Sequence, residues 1–252
     1  MVVVVPKRLI LVSFALLILG MFVYFGPQAY VATTSASRKI PIYSVMTPDK
    51  RVAITINCAW DPDRTPDILE VLKRHGVKCT FFLVNTWVNR YPDLARRLVA
   101  EGHELGLHSA RHPDYTKITR DQARKDLIDN KTLVKETTGV ECNLFRAPYG
   151  AYDNKTIEVA EELGCLTIQW SIDSLDWKGP TAGQMTDRVV NRMHNGAIVL
   201  FHNNGTYTPE ALDMILEWLK KRGYRMVTVS ELLIKGDYDI NHRGQQVPKN
   251  PQ

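Results

Sequence analysis

The stretch Gly-His-Glu-Leu-Gly-Leu-His-Ser-Ala-Arg-His, residues 102–112, indicates both a fold and a site. Its apolar run at 104–107 is typical of a short buried strand. His108 and His112 follow the strand four residues apart, a spacing that puts two imidazoles on one face of a helical turn, close enough to share a cation. Two histidines at this spacing are also common as a solvated pair, so the rest of the chain must decide.

Strand-like and helix-like segments alternate on both sides of this stretch, from Arg51 to Leu233. Seven such units predict an α/β fold, a distorted (β/α)7-type barrel with parallel strands. An open doubly wound sheet is the alternative, although the Gly-rich first turn of nucleotide-binding sheets is missing from the sequence. The predicted strands lie at 52–56, 78–84, 104–107, 143–146, 166–170, 197–201 and 225–229.

Polar clusters follow five of the predicted strands, where the active sites of parallel α/β proteins lie. Packing alone does not explain ionisable residues at so many strand ends, so we interpret them as one functional site. The clusters are at 57–63, 108–112, 146–150, 171–177 and 202–204.

The N-terminus indicates the compartment. Lys7 and Arg8 precede an uncharged apolar run at 9–25, which is followed by Gly26-Pro27. At about 1.5 Å per residue the run is just long enough to cross a bilayer as a helix. We predict a membrane anchor at 1–27 with the domain outside the cytoplasm, or a secreted protein if this segment is a cleaved signal peptide.

The segments that flank the body lack a clear period. Residues 28–50 are predicted to be a linker and 234–252 a flexible tail, which leaves a domain at 51–233.

The chain carries a formal net charge of +5, which favours acidic surroundings such as anionic lipid or wall polymer. Basic blocks with interleaved aromatic residues are missing, so no nucleic-acid partner is predicted. The four cysteines lie in apolar runs, and we expect buried free thiols rather than disulfides.

The clusters resemble those of polysaccharide deacetylases with a NodB-homology domain, the carbohydrate esterases of family four, over 51–233. The matching motifs, in chain order, are His108-x-x-x-His112, Arg146-x-Pro148-Tyr149-Gly150, Asp173-x-x-Asp176-Trp177 and Leu200-x-His202. The resemblance implies a metal-dependent hydrolase of a carbon–nitrogen bond, which removes acetyl groups from peptidoglycan or a chitin-like chain. The anchored N-terminus and the Ala-Trp after the first strand resemble the sporulation-type members.

The resemblance also implies a role for each matching residue. His108 and His112 correspond to the imidazole ligands of a divalent ion, for which we expect zinc. His202 corresponds to the general acid, and Arg146 and Asp176 to the charged groups that orient the catalytic pair. The implied substrate-binding residues are Tyr149, through its backbone N–H, with Pro148, Trp177 and Leu200.

One motif departs from the family. Thr55-Ile56-Asn57-Cys58-Ala59 stands where the family has Thr-Phe-Asp-Asp-Gly, so Asn57 occupies the position of the general base and Cys58 that of a metal ligand. A neutral carboxamide takes no proton at neutral pH. Asp63, in the following loop, is the expected third ligand, with Asp61 and Cys58 as alternatives. We therefore predict a monomeric de-N-acetylase of wall glycan, with a weakly active or inactive glycan-binding relative as the alternative.

Overall fold

The computed structural model describes residues 6, 8, 12–21, 38–61 and 63–249. The chain divides into two units at residue 38, and each is described by itself. In the first unit, residues 12–21 form helix α1. Within the described ranges no helix combines the length and apolarity needed to span a bilayer. Most of the predicted anchor at 1–27, and the predicted linker up to residue 37, lie outside the described residues.

The second unit is built on one parallel sheet, in the order β6-β5-β4-β3-β2-β8-β7, with β9 also paired to β2. The predicted α/β fold, a distorted barrel of parallel strands, is confirmed. The central strand β2 is buried along almost its whole length, as expected when one face of a curled sheet packs against helices and the other faces the interior of the barrel. The strands are β2 (Arg51–Cys58), β3 (Thr80–Leu83), β4 (Glu104–Leu107), β5 (Leu144–Phe145), β6 (Leu166–Thr167), β7 (Ile172–Asp173), β8 (Ile198–His202) and β9 (Arg225–Val227).

Local sequence signals set the ends of the helices between these strands. Thr119, Asp153 and Thr181 each form a reciprocal capping box at the start of a helix. Gly76 ends α2 in the left-handed conformation, with φ of 64°. The helices are α2 (Thr65–His75), α3 (Asn85–Arg90), α4 (Pro92–Ala100), α5 (Arg120–Thr138), α6 (Asn154–Glu162), α7 (Ala182–Val190), α8 (Thr208–Lys221) and α9 (Val229–Leu232).

A second, three-stranded sheet changes the predicted domain limits. Strand β1 (Ser44–Val45), from the predicted linker, pairs in parallel with β11 (Gln245–Pro248), which pairs antiparallel with β10 (Tyr238–Ile240). The last two strands come from the segment expected to be a flexible tail. Both segments are ordered here because they bury side chains against the body, among them Ile42, Val45 and Gln246. Gln246 also holds the chain just beyond α9, since its Oε1 accepts from the backbone N–H of Ile234 at 2.8 Å.

The core holds the cysteines. All four are free and buried, as predicted. Burial raises the pKa of the Cys58 thiol, which packs in the main hydrophobic cluster beside Ile68 and Leu83.

Candidate active site

A cavity of about 470 Å³ opens at the carboxyl ends of the parallel strands. Pockets for small ligands usually measure about 300–1,000 Å³, so this one has room for a sugar unit. The fold brings together residues from six separate loops and strand ends to line it: Asn57, Ala59, Trp60, His108, His112, Tyr149, Gly150, Trp170, Asp173, Trp177, Leu200, His202 and Asn204.

One side of the cavity, which we call the acid wall, is formed by His202, Asp176 and Thr208. His202 Nδ1 lies 2.8 Å from Asp176 Oδ1, and the backbone N–H of His202 donates to Asp176 Oδ2 at 2.6 Å. Thr208 Oγ1 donates to the same Oδ2 at 3.0 Å. Because Nδ1 is engaged by the carboxylate, Nε2 is the ring nitrogen that remains for the pocket. The wall therefore presents a fixed imidazole that is paired with a buried anion.

The acid wall depends on a close approach at Gly205. A Cβ atom at this position would lie 2.2 Å from Thr208 Oγ1 and 3.2 Å from Asp176 Cβ. Any larger residue would push Thr208 or Asp176 out of place, so the loop after β8 needs glycine here.

The adjoining side, which we call the amide wall, is formed by Asn57, Arg146 and Thr55; Asn57 is level with His202 on the neighbouring strand. Arg146 is fully buried. Its Nη1 donates to Thr55 Oγ1 at 2.9 Å and to Asn57 Oδ1 at 3.0 Å, and its Nη2 donates to the carbonyl oxygen of Gln169 at 3.0 Å. All three acceptors are neutral. The guanidinium thus lies in the interior without a carboxylate in hydrogen-bond contact among the described residues.

Aromatic rings cover this cation. The Phe82 ring lies 4.1 Å and the Trp170 ring 5.5 Å from the Arg146 guanidinium carbon, which favours a cation–π contact. Gly106 makes room for the first ring, since a Cβ there would lie 2.6 Å from it. Burial lowers the pKa of Arg146 to about 9, and the carboxylate of Asp173 offsets that shift only in part. The depressed pKa reflects a buried charge that is poorly compensated.

The predicted histidine pair lies at the end of β4, beside the amide wall. The rings of His108 and His112 lie 5.0 Å apart, centroid to centroid, in an edge-to-face arrangement. His108 Nδ1 lies 2.6 Å from the carbonyl oxygen of Arg146. A carbonyl only accepts, so Nδ1 is the donor and Nε2 is left as an acceptor in the neutral ring. Burial lowers the pKa of His112 to about 4 and that of His108 well below its ordinary value, which keeps both rings neutral.

The loop that carries the pair is strained and is held from α5. Ser109 and His112 have φ of 81° and 58°, in the left-handed region that side chains with a Cβ avoid. Buried Asp126 accepts from the backbone N–H of Ala110 at 2.9 Å and from the hydroxyl of Tyr115 at 2.9 Å. These bonds hold the loop in the conformation that brings the two rings together.

The expected third metal ligand does not join the histidines. Asp63 Oδ1 accepts from the backbone N–H of Thr65 at 2.9 Å and from Asn203 Nδ2 at 2.9 Å. Asp61 is exposed and paired with Arg90, the last residue of α3, and with Tyr91, which links α3 to α4. Over the part of the chain that the structure describes, no three His, Cys, Asp or Glu side chains form a metal-binding group. A zinc site takes at least three protein ligands, so the residues present do not fit the ion that the sequence predicted.

The rim of the cavity is aromatic. Tyr149 and Trp177 are 69% and 57% exposed, and Trp60 is 52% exposed. Tyr149 has φ of 62° between Pro148 and Gly150, a left-handed conformation that turns its ring outward over His112, with ring centroids 4.6 Å apart. Exposed rings that frame a cavity are suited to the apolar faces of a sugar.

The chain was compared with known proteins. Residues 44–168 match the family model of the polysaccharide deacetylases. A peptidoglycan-N-acetylglucosamine deacetylase from Bacillus cereus is 36% identical over 196 residues, which cover 76% of this chain and 92% of that protein. The chain belongs to the polysaccharide deacetylase family. Its resemblance to this family is thereby confirmed.

Two further proteins that are similar to this chain differ in activity, since one is a deacetylase and the other a pseudoenzyme. The deacetylase PgdA of Listeria monocytogenes is 39% identical over 78% of this chain, but the chain spans only 42% of that protein's length. The crystal structure of a CE4 family pseudoenzyme from Bacillus anthracis has a TM-score of 0.75 and 36% identity, covering 77% of this chain and 69% of that one. A mutant of that pseudoenzyme has restored enzymatic activity. The family therefore contains both active and inactive sites on this fold.

The structure brings together most of the site residues that were predicted from the sequence. Asn57, His108, His112, Tyr149, Trp177, Leu200 and His202 line the cavity, and Arg146 and Asp176 lie directly behind it. Pro148 is buried and Asp63 is bonded elsewhere, so neither lines it. Sequence reasoning gave no role to Trp60 or Asn204, which lie within the polar clusters at 57–63 and 202–204, or to Trp170, which directly precedes the cluster at 171–177. Their signal was this position at strand ends.

Proposed function

We propose that the protein binds N-acetylated cell-wall glycan of the peptidoglycan type in this deacetylase-like cavity, and that it hydrolyses the acetamide slowly or not at all. One observation carries the proposal: the acid wall is complete, while the base position of the adjoining amide wall holds the carboxamide of Asn57 bonded to Arg146. Binding needs the cavity and its aromatic rim, whereas hydrolysis needs a proton acceptor as well.

The chemistry of the two walls supports binding with little or no hydrolysis. His202, held through Nδ1, can offer a proton from Nε2 to a leaving amine. Asn57 cannot accept the proton of an attacking water, because its nitrogen carries hydrogens and its oxygen accepts from Arg146. Loss of a general base costs about 10²–10⁴ in rate. The reaction is thus left with its acid and without its base.

The family is generally metal-dependent, and the sequence predicted zinc. The two neutral imidazoles without a carboxylate partner do not make a three-ligand site, so no step of the proposed function depends on an ion. The lack of a third ligand agrees with the proposed low rate of hydrolysis, because both the base and the acidic ligand of the family motif are replaced in this chain.

A wall substrate implies export of the domain. We therefore also propose that the apolar segment at 9–25 anchors a monomeric protein to the membrane, or directs its secretion. Cell fractionation with antibody against the domain tests this; recovery in the cytosol would contradict it.

The full chain should be titrated with the N-acetylglucosamine tetramer, and acetate release should be measured beside the Bacillus cereus relative. We expect saturable binding and a rate at least about 100-fold below that of the relative. Failure to bind the tetramer or wall glycan would refute the proposal.

A working de-N-acetylase is the second candidate, and the intact pairing of His202 with Asp176 favours it, because a binding protein needs no leaving-group acid. A rate within about tenfold of the relative, abolished by His202→Ala, would establish it in place of the first.

A further inference from the structure

The hydrogen-bond polarity of the amide wall is fixed by Arg146. A guanidinium only donates, so the carboxamide of Asn57 must turn its oxygen toward Nη1, 3.0 Å away. The two N–H donors of Asn57 are consequently on the other side of the amide group, and the residue lines the cavity. An aspartate here would present only acceptors. The substitution therefore replaces an acceptor by a donor at the floor of the pocket.

His108 supplies the complementary group. Its Nδ1 donates to the carbonyl oxygen of Arg146, which leaves Nε2 as an acceptor on a ring that lines the same cavity. A donor from Asn57 and an acceptor from His108 match the two polar groups of an intact secondary amide, its carbonyl oxygen and its N–H. A free amine at the same place has no carbonyl oxygen for Asn57.

The poorly compensated charge of Arg146 acts against a free amine, which is protonated. Asp176, beside His202 on the adjoining strand, already accepts from His202, Thr208 and the backbone N–H of Trp177. Asp173, the other acid at the cavity, is level with Leu200, which is level with Thr55 on the next strand, so two strand spacings separate the Asp173 and Thr55 backbones by roughly 10 Å. An ammonium beside Asn57 would thus lie next to a buried cation, while both nearby carboxylates already accept hydrogen bonds.

We infer that this pocket distinguishes acetylated from deacetylated glycan. It binds an intact acetamido group in preference to the free amine, and Asn57 is the residue that sets this preference. This inference rests on the proposed glycan binding and adds a selectivity to it. The protein would stay on acetylated stretches of wall glycan and leave those that an active deacetylase has processed.

The test compares two tetramers, of N-acetylglucosamine and of glucosamine, as ligands of the full chain by calorimetry at pH 6. Measurements at 0.15 M and 0.5 M salt separate the pocket from long-range repulsion, because the Debye length falls from about 8 Å to a few ångströms. We expect the acetylated tetramer to bind at least tenfold more tightly at both salt concentrations.

Asn57→Asp should reduce that ratio at least tenfold, because it replaces the donor by an acceptor and gives Arg146 an anionic partner. Asn89→Asp is the matched control: it adds the same charge on the exposed face of α3, outside the cavity lining, and it should change the ratio less than threefold. Asn57→Ala, which removes the donor and keeps the charge of Arg146, should weaken the acetylated tetramer only; it serves if the aspartate variant does not fold. Mass spectrometry of the recovered tetramer measures any deacetylation, and the affinity of each variant is taken from titrations in which the tetramer stays acetylated.

A wild-type ratio near one, with binding intact, would overturn the inference and leave the proposed function standing. An unchanged ratio in Asn57→Asp, or an equal change in Asn89→Asp, would also overturn it. Failure of both tetramers to bind would refute the proposed function and this inference together.

Discussion

The acid wall and the amide wall adjoin in one cavity, since His202 on β8 is level with Asn57 on the neighbouring strand β2, but they accommodate buried charge in opposite ways. On the acid wall the Asp176 carboxylate meets His202, whose ring can carry a positive charge, and hydrogen bonds satisfy both carboxylate oxygens. On the amide wall Arg146 meets only neutral oxygens, and burial lowers its pKa to about 9. The difference shows that a hydrolase pocket can lose one half of its chemistry while its shape survives.

The largest expected effect is on catalysis. Asn57→Asp gives the amide wall a carboxylate beside Arg146, which makes the two walls alike and restores a proton acceptor. We expect acetate release from the N-acetylglucosamine tetramer to rise about 10²-fold or more.

The control for this change is Asn89→Asp, which places a carboxylate on the exposed face of α3, outside the cavity lining, and should leave acetate release at the wild-type level. If Asn57→Asp also stays at that level, the missing base does not limit the reaction, and the contrast between the walls does not explain the low rate.

The second effect is on stability. Asp176→Ala removes the acceptor of four donors, two on His202 and one each on Thr208 and Trp177, and leaves them without that partner. We expect the free energy of unfolding to fall by about 3–5 kcal/mol in urea titrations. Asp173→Ala is the control; its carboxylate accepts one backbone N–H and should cost about 1 kcal/mol. Equal losses would show that the acid wall is no more tightly built than its surroundings.

The third effect concerns the rim that both walls share. Trp177→Ala removes a 57% exposed ring and should weaken binding of the acetylated tetramer about tenfold, or about 1.4 kcal/mol, without a change in selectivity. Trp218→Ala, which removes a ring stacked on Tyr224 away from the cavity, should leave affinity unchanged. A loss of selectivity in Trp177→Ala would mean that the rim, and not Asn57, distinguishes the two glycans.

The smallest expected effect is on the pH dependence of stability, and it arises at His103, outside both walls. Burial, and secondarily the charge of Lys78, lowers the pKa of His103 to about 4. The unfolded state therefore binds more protons than the folded state between about pH 6.5 and 4, and stability falls as the pH drops through this range. Because the ring is partly screened by solvent, we expect His103→Gln to reduce that fall by only about 1 kcal/mol in urea titrations. Identical pH dependence in both proteins would remove His103 as its source.

Much of the fold could be predicted because its signals are local. Apolar runs with helices between them indicated the parallel sheet, and capping residues and glycines marked helix ends. The strands at 44–45, 238–240 and 245–248 were missed, since they are two to four residues long and are stable only through pairing with each other and burial against the body.

The candidate site, like the fold, could be predicted from the sequence only in part. The motifs placed His108, His112, Tyr149, Trp177 and His202 at strand ends, and the structure brings these residues to one cavity. The sequence did not place Asp63, whose direction depends on Thr65 and on Asn203, 140 residues away in the chain. Which way a loop carboxylate points is decided by such distant partners.

By itself the sequence determined that the chain forms a parallel α/β barrel, that its polar clusters share one end, and that Asn57 stands where a proton acceptor was expected, because periodicity and order along the chain carry that information. Only the tertiary structure decided what this asparagine does. Its amide oxygen is turned to Arg146, 89 residues away, and the donor-only guanidinium leaves the pocket facing N–H groups.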